Sequence, residues 1–153
     1  MFKLDDEKAL LESFRTRDRK HVELPADLKF PIILRDYVAW AHPSGGRLYL
    51  VFAPAEGHPT GVVFDTNGGG GQVPQLCAWC HSSAGAGGVA MLTATASNKK
   101  RVGVWVCGDL SCKAKVEEAC NLAGRPLHDA LATLVARMSQ FAAEALRIDL
   151  LRR

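Results

Sequence analysis

The alternation of apolar and polar residues divides the chain into a helical start, a run of strands and a helical end. Residues 4–20 carry apolar side chains at helical spacing, with acidic residues in the first turn and basic residues in the last. Acidic groups are favoured at the positive amino end of a helix dipole and basic groups at the carboxyl end. We therefore predict an amino-terminal helix over residues 4–20 that packs through Leu10, Leu11 and Phe14.

Short β-branched and aromatic runs follow this helix. They occupy residues 32–40, 47–53 and 61–65 and are separated by segments rich in proline and glycine. Such runs between turn-forming residues are typical of antiparallel strands, so a small antiparallel sheet is predicted here. The glycines of the connector at 67–71 lack the Gly-Lys-Ser/Thr ending of a phosphate-binding loop, so no nucleotide cradle is expected.

A β-hairpin and two helices are predicted in the second half of the chain. Residues 88–96 and 101–107 have the alternation of two strands, and 97–100 supply the turn. Asp109 can cap a helix that ends near residue 123. A last helix over residues 127–151 carries a continuous apolar stripe, which we interpret as a core-packing face.

Four cysteines form two close pairs on either side of the hairpin: Cys77 with Cys80, and Cys107 with Cys112. Two pairs with spacings C-x2-C and C-x4-C can each present two thiolates from a tight turn and complete a tetrahedral zinc site. The fourth cysteine falls in the first turn of a helix, and the order turn, hairpin, helix predicts a treble clef. Four protein ligands leave no open position for substrate or water, so no enzymatic activity is expected.

The fifth cysteine, Cys120, is expected to be a buried apolar residue. It follows Cys112 by eight residues, a distance of about 12 Å along a helix at ~1.5 Å per residue. Sulfurs bound to one zinc ion lie within roughly 4 Å of each other. Cys120 therefore cannot share the metal with the other four.

Three other uses of the cysteines are alternatives to structural zinc. The segment Cys-Ala-Trp-Cys-His at 77–81 also matches a haem attachment motif, and His21 with Glu23 mimics part of a zinc deaminase signature. Neither alternative gives the second cysteine pair a role. A redox C-x-x-C requires a helix that starts at the pair, where a glycine-rich segment stands instead. Structural zinc is the interpretation that uses all four thiols.

Length and composition limit the number of hydrophobic cores and indicate where the protein is located. With 153 residues, 48% of them hydrophobic, the chain can bury one core. No apolar run is long enough for export or membrane insertion, so a cytoplasmic location is expected, where reduced thiols favour metal over disulfides. A net charge of +3 falls short of the bias of a dedicated nucleic-acid binder.

The predicted fold class is α+β: a small antiparallel sheet with a treble-clef four-cysteine zinc finger, flanked by an amino-terminal helix and a long carboxy-terminal helix. We expect one domain over residues 1–153. Its parts are the amino-terminal helix (1–24), the β region (25–71), the treble-clef zinc finger (72–125) and the carboxy-terminal helix (126–153).

Three segments of the chain together resemble a known family. They are Leu-Cys-Ala-Trp-Cys at 76–80, Val-Cys-Gly-Asp-Leu-Ser-Cys at 106–112 and Leu-Pro-Ala-Asp-Leu at 24–28. They are similar to the elongation-factor-G-binding (FBP, FusB-like) family with its C-terminal treble-clef zinc finger, and C-x-D-L-x-C is the most specific element. The likeness extends over most of the chain, and the residues that match the zinc ligands are Cys77, Cys80, Cys107 and Cys112.

The resemblance implies a non-enzymatic zinc protein that binds the translation factor elongation factor G. In members that confer fusidic acid resistance, this binding helps to release the factor from stalled ribosomes and leaves the drug unaltered. The alternative function is an RNA- or ribosome-binding zinc module. Neither a membrane nor a small-molecule substrate is implied.

A group of basic residues is the predicted partner surface. It comprises Lys99, Lys100, Arg101, Lys113 and Lys115, on the hairpin turn and at the start of the following helix. Such a group suits an acidic protein surface. The alternative is a solvated hairpin tip that offsets the net charge of −2 on a zinc ion held by four thiolates.

Overall fold

The computed structural model describes residues 2–66, 76–81, 88–97 and 99–151. The elements in chain order are β1 (Phe2–Leu4), α1 (Glu7–Glu12), α2 (Thr16–Arg19), β2 (Ile32–Leu34), β3 (Tyr37–Ala41), β4 (Arg47–Phe52), β5 (Thr60–Asp65), β6 (Val89–Ser97), β7 (Lys100–Cys107), α3 (Cys112–Ala123), α4 (Leu127–Gln140) and a π-helical turn, Phe141–Ala145. The predicted connector at 67–71, the glycine-rich segment at 85–87 and part of the predicted turn, Asn98, lie outside the described residues. In the described ranges, no helix is long and apolar enough to span a membrane.

Within these ranges, the main sheet has five strands in the order β3-β4-β5-β6-β7, each antiparallel to its neighbour. β1 and β2 pair antiparallel in a separate two-stranded sheet. The predicted α+β class with antiparallel strands is confirmed. The hairpin of β6 and β7 is also confirmed, with Val89 opposite Cys107.

Strand β4 supplies side chains to both faces of the main sheet. Leu48, Leu50 and Phe52 belong to the cluster that contains α4 and the cysteines. The alternate residues Tyr49 and Val51 belong to a second cluster with the amino-terminal segment. Because successive side chains of a strand point to opposite faces, this apolar strand is buried on both sides and holds two layers together.

The predicted single helix over residues 4–20 is wrong: Leu4 ends β1, and the rest of this segment contains the two short helices α1 and α2. The Asp6 side chain caps α1 by accepting from the Ala9 N–H at 2.9 Å. The Ser13 hydroxyl donates to the Leu10 carbonyl at 2.6 Å, and Phe14 then forms a β-bridge with Gly61 in β5. A tertiary contact thus interrupts the helical pattern. Leu10 and Phe14 are nevertheless buried, as expected.

Two other predicted boundaries are wrong. The strand expected at 32–40 is split between two sheets, β2 and β3. The helix expected at 127–151 changes to a π-helical turn after Gln140. In that turn Phe141 packs on Phe64 and Trp79, with ring centroids 6.0 Å from each. The Leu150 carbonyl beyond it accepts from the His58 N–H at 2.8 Å, so the end of the chain folds back towards β5.

Replacing Gly61 by alanine is expected to destabilise the fold by about 1–3 kcal/mol, the usual cost of overpacking. A Cβ at this position would lie 2.6 Å from two ring atoms of the buried Phe14. Urea unfolding measures the effect. Gly103→Ala is the matched control, because its Cβ would meet the flexible thioether of Met91, which can move aside. Equal stability of the Gly61→Ala variant and wild type would contradict the close packing.

Candidate metal centre

The first cysteine pair lies in a tight turn whose backbone N–H groups point at the sulfur of Cys77. The N–H groups of Trp79 and Cys80 each donate to Cys77 Sγ at 3.4 Å. The Ala78 N–H donates to the Trp105 carbonyl at 2.7 Å, which fixes the turn on strand β7. Backbone donors of this kind favour the thiolate form of Cys77.

The second pair spans the end of a strand and the start of a helix. Cys107 is the last residue of β7 and Cys112 the first residue of α3. Between them Leu110 has a φ of 57°, and its N–H donates to the Cys107 carbonyl at 2.9 Å. The predicted position of Cys112 in the first helical turn is confirmed, but the residue before the helix is Ser111, two positions after the predicted cap at Asp109. The Asp109 carboxylate instead accepts from the Ser111 N–H at 3.1 Å. A hydrogen bond with the Ser111 side chain is the main cause that lowers the pKa of Asp109, and the bond from the Ser111 N–H adds to it.

The four sulfurs come together as a tetrahedral zinc site requires. They all lie within 4.8 Å of one another. Two sulfur–sulfur distances, Cys77 to Cys112 and Cys80 to Cys107, are 3.6 Å, close to the roughly 3.8 Å between sulfurs at ~2.3 Å from one zinc ion. All four thiols are free of disulfides. The donor set and spacing therefore fit a four-thiolate zinc ion.

Cys120 is not part of this group. It lies on α3, is 6% exposed and also carries a free thiol. In the described part of the chain, the group of close metal-ligating side chains contains the other four cysteines. The predicted separation of Cys120 from the metal site is confirmed.

Mutual hydrogen bonding separates the pKa values within the cluster, lowering those of Cys77 and Cys107 and raising that of Cys112. The bonds from Cys107, Cys112 and Cys80 hold the pKa of Cys77 far below its ordinary value. The bond with Cys112 is the main cause that lowers the pKa of Cys107 from 9.0 to about 7. The bonds with Cys107, Cys77 and Cys80 raise the pKa of Cys112 instead. Thiolates are the form that binds metal, so Cys77 and Cys107 favour that form before zinc arrives, whereas Cys112 does not.

Lys115 adds a positive charge to the cluster. Its Nζ donates to Cys107 Sγ at 3.1 Å. Burial alone would lower the pKa of Lys115, but the hydrogen bond to Cys107 and the nearby thiolates outweigh it and raise that pKa. Lys115 therefore offsets part of the net charge of −2 that four thiolates give to a zinc centre.

The predicted basic surface is divided by the fold. Lys99, Lys100 and Arg101, here called the hairpin group, lie at the tip of the β6–β7 hairpin. Lys113 and Lys115, here called the helix group, lie on α3 near the other end of β7. The strand from Lys100 to Cys107 has eight residues, and the seven steps between its ends span roughly 23 Å at ~3.3 Å per residue. The two groups are thus separate features of the surface.

Three of these five basic side chains already have partners. Arg101 pairs with Asp65 and donates to the Thr93 hydroxyl at 2.9 Å. Lys113 Nζ lies 3.0 Å from Asp36 Oδ2, and Lys115 bonds the sulfur of Cys107. The side chains of Lys99 and Lys100 have no hydrogen bond or ion pair with any described residue. The hairpin group therefore presents the more available charge.

Sequence reasoning missed the residues that attach the zinc site to the core. The buried Trp79 packs on Phe64, and its carbonyl accepts from Arg137 Nη1 at 2.6 Å. The Tyr37 hydroxyl donates to the Leu110 carbonyl at 2.7 Å and accepts from the Lys113 N–H at 2.8 Å. Burial raises the pKa of this phenol. These hydrogen bonds join residues 58 to 76 positions apart, and no local pattern in the sequence signals them.

This chain is similar to a known protein family and to solved structures. The family model described as FBP C-terminal treble-clef zinc-finger matches residues 8–147. Among solved structures, the fusidic acid resistance protein FusC has a TM-score of 0.51 and 15% sequence identity. The alignment covers 94% of this chain and 59% of FusC, so the chain spans less than two thirds of that protein, and the likeness is one of fold. No curated protein sequence matches this chain.

Replacing Cys107 by serine is expected to abolish zinc binding and unfold the region around the site. Zinc ligation contributes free energy on the order of 10–16 kcal/mol in small zinc modules. Metal content and thermal unfolding measure the effect. The matched control is Cys120→Ser, which should keep one zinc ion per chain. Full zinc content and unchanged melting of the Cys107→Ser variant would rule out this ligand set.

Zinc is expected to be released as the pH falls, because protons compete with the metal for the thiolates. The lowered pKa of Cys107 acts in the same direction, because the folded state favours its thiolate. In the metal-free protein this contribution to stability is lost as the pH drops from 9 towards 7. Lys115→Met removes the hydrogen bond to Cys107. It should move the release midpoint to higher pH by up to about one unit, since a hydrogen bond to a charged group contributes roughly 1.5 kcal/mol.

A chromogenic chelator follows this release during an acid titration. Lys20→Met, on an exposed lysine of the amino-terminal segment, is the control for the loss of one positive charge. Identical midpoints for the Lys115→Met variant and wild type would show that the bond to Cys107 does not stabilise the thiolate.

Proposed function

Because this chain belongs to the FBP C-terminal treble-clef zinc-finger family, we propose that it is a non-enzymatic zinc protein that binds elongation factor G. The family match over residues 8–147 is the observation that carries the proposal. It confirms the resemblance found in the sequence, which implied this translation factor as the partner. The fold shared with FusC, a fusidic acid resistance protein, supports the same proposed function.

We propose Cys77, Cys80, Cys107 and Cys112 as the four zinc ligands. When bound, the ion would join the turn at 77–80 to the strand end and helix start that carry the second pair. Three of these cysteines are buried and Cys80 is half-buried. With four protein ligands the metal keeps no position for water or substrate, which supports a structural role.

The hairpin group is the part of the predicted surface that we propose as the main contact with the factor. The side chains of Lys99, Lys100 and Arg101 are exposed. The lysine charges at the tip can meet an acidic surface without first breaking an ion pair to a described residue. Exposed complementary charges accelerate protein association and set its orientation. The helix group is proposed as a secondary contact, because Lys113 and Lys115 are already engaged with Asp36 and Cys107.

In this proposal the protein acts in the cytoplasm, where translation takes place and thiols stay reduced. Binding would help to free elongation factor G from ribosomes stalled by fusidic acid and would leave the drug unchanged. The protein supplies a rigid surface, and its zinc site maintains the geometry of the hairpin that carries the hairpin group.

The zinc-loaded protein is expected to bind purified elongation factor G after nuclease treatment. Lys99→Glu with Lys100→Glu should weaken that binding by roughly tenfold, mainly through slower association, because both exposed charges are reversed. Surface plasmon resonance with immobilised factor measures the rates. The matched control is Lys20→Glu with Lys29→Glu, which makes the same charge change at two exposed lysines elsewhere.

Two results would contradict the proposal in different ways. Absence of binding by the zinc-loaded wild type would reject elongation factor G as the partner. Equal weakening by the two double variants would reject the hairpin group as the contact and leave only a net-charge effect. Binding to RNA alone, with a steep dependence on salt concentration, would favour the RNA- or ribosome-binding alternative.

A further inference from the structure

A cavity next to the zinc site has no role in the function proposed above. Its volume is about 470 Å³, within the range of small-molecule sites. It lies between α3, α4 and the first cysteine turn, whose residues Trp79, Cys80 and His81 form one wall. It is therefore a concave site bounded by three elements of the fold.

The charges around this cavity are all of one sign. Lys115, Arg125 and Arg137 line it, together with His81, and the lining contains no aspartate or glutamate. Among the ion pairs of the described residues, none joins these side chains to a carboxylate. A local excess of positive charge thus surrounds the cavity.

Much of this charge remains available to a ligand. Lys115 is engaged by the Cys107 sulfur and serves the metal site. The Arg137 guanidinium uses Nη1 on the Trp79 carbonyl at 2.6 Å, and a guanidinium carries five N–H donors. The Arg125 side chain is exposed and makes no hydrogen bond or ion pair to a described residue. Two arginines can therefore donate into the cavity from α4 and from the loop before it.

We propose that this cavity binds a small phosphorylated ligand, with Arg125 and Arg137 donating to the phosphate oxygens. Guanidinium groups match a phosphate with two parallel hydrogen bonds and are the preferred side chains for this purpose. Ala119, Ala130 and Leu134 add an apolar wall that suits the organic part of such a ligand. A recess between two helices favours a compact ligand, whereas a nucleic-acid strand is bound along an extended groove.

Isothermal titration of the zinc-loaded full chain with pyrophosphate, and separately with inorganic phosphate, tests the proposal without any translation factor. Arg125→Gln should weaken pyrophosphate binding about tenfold, the size expected from losing a charge-assisted hydrogen bond. This variant should fold normally, because Arg125 is exposed and its side chain has no bond within the described chain. The matched control is Arg17→Gln, an exposed arginine on α2, which should bind pyrophosphate like wild type.

Further variants and probes make the test decisive. Arg137→Lys keeps the charge and should bind pyrophosphate more weakly than wild type, because the paired donors are lost; zinc content and melting verify that the first cysteine turn is intact. Absence of pyrophosphate and phosphate binding by wild type, or equal weakening by Arg125→Gln and Arg17→Gln, would overturn the site. A single-stranded oligonucleotide that binds where pyrophosphate does not would overturn the small ligand in favour of a nucleic-acid backbone.

Discussion

The close approach of four thiolates is the interaction on which the rest of this structure depends. Their sulfurs bring together a turn, the end of β7 and the start of α3. Zinc ligation in small modules contributes on the order of 10–16 kcal/mol, whereas the net stability of a whole domain is about 5–15 kcal/mol. The metal site is thus large enough in energy to decide whether the second half of the chain is ordered.

The remaining fold transmits this local order to the whole molecule. Strand β4 places one set of side chains against the cluster around the cysteines and the alternate set against the amino-terminal segment. Trp79 and Phe141 join the cysteine turn to the π-helical end of α4. The Tyr37 hydroxyl joins the first strand of the main sheet to both sides of Cys112. Each of these contacts fixes the position of another layer of the fold relative to the metal site.

The sequence predicted that the four cysteines lie together, because its signals are local. Two short spacings determine how sulfurs emerge from a turn and from a helix start, and the alternation of β6 and β7 determines the hairpin between them. Zinc and the treble clef were therefore predictable from residues 77 to 112. The exclusion of Cys120 followed from helical rise alone.

Other features depend on contacts that no local pattern contains. The amino-terminal helical pattern is interrupted because Phe14 pairs with Gly61, 47 positions away in the sequence, and α4 ends where Phe141 meets Phe64 and Trp79. The basic residues appeared as one surface because they surround the second cysteine pair in the sequence. The extended strand β7 separates them in space. Asp65 and Asp36 then pair with two of them.

The hydrogen bond between the Ala78 N–H and the Trp105 carbonyl bears on aggregation of the protein, because it lies at the edge of the main sheet. β7 is the last strand in the order of the main sheet, and its sequence Lys-Arg-Val-Gly-Val-Trp-Val-Cys is rich in β-branched residues. Exposed edges of this composition are templates for pairing with other chains, and such edges are commonly protected by a covering loop or by charged residues. Here the cysteine turn covers one end of the edge, and the hairpin group places positively charged side chains at the other end. Loss of zinc would therefore open this end of the edge strand to pairing with other chains, so a bound metal would protect the protein against aggregation as well as against unfolding.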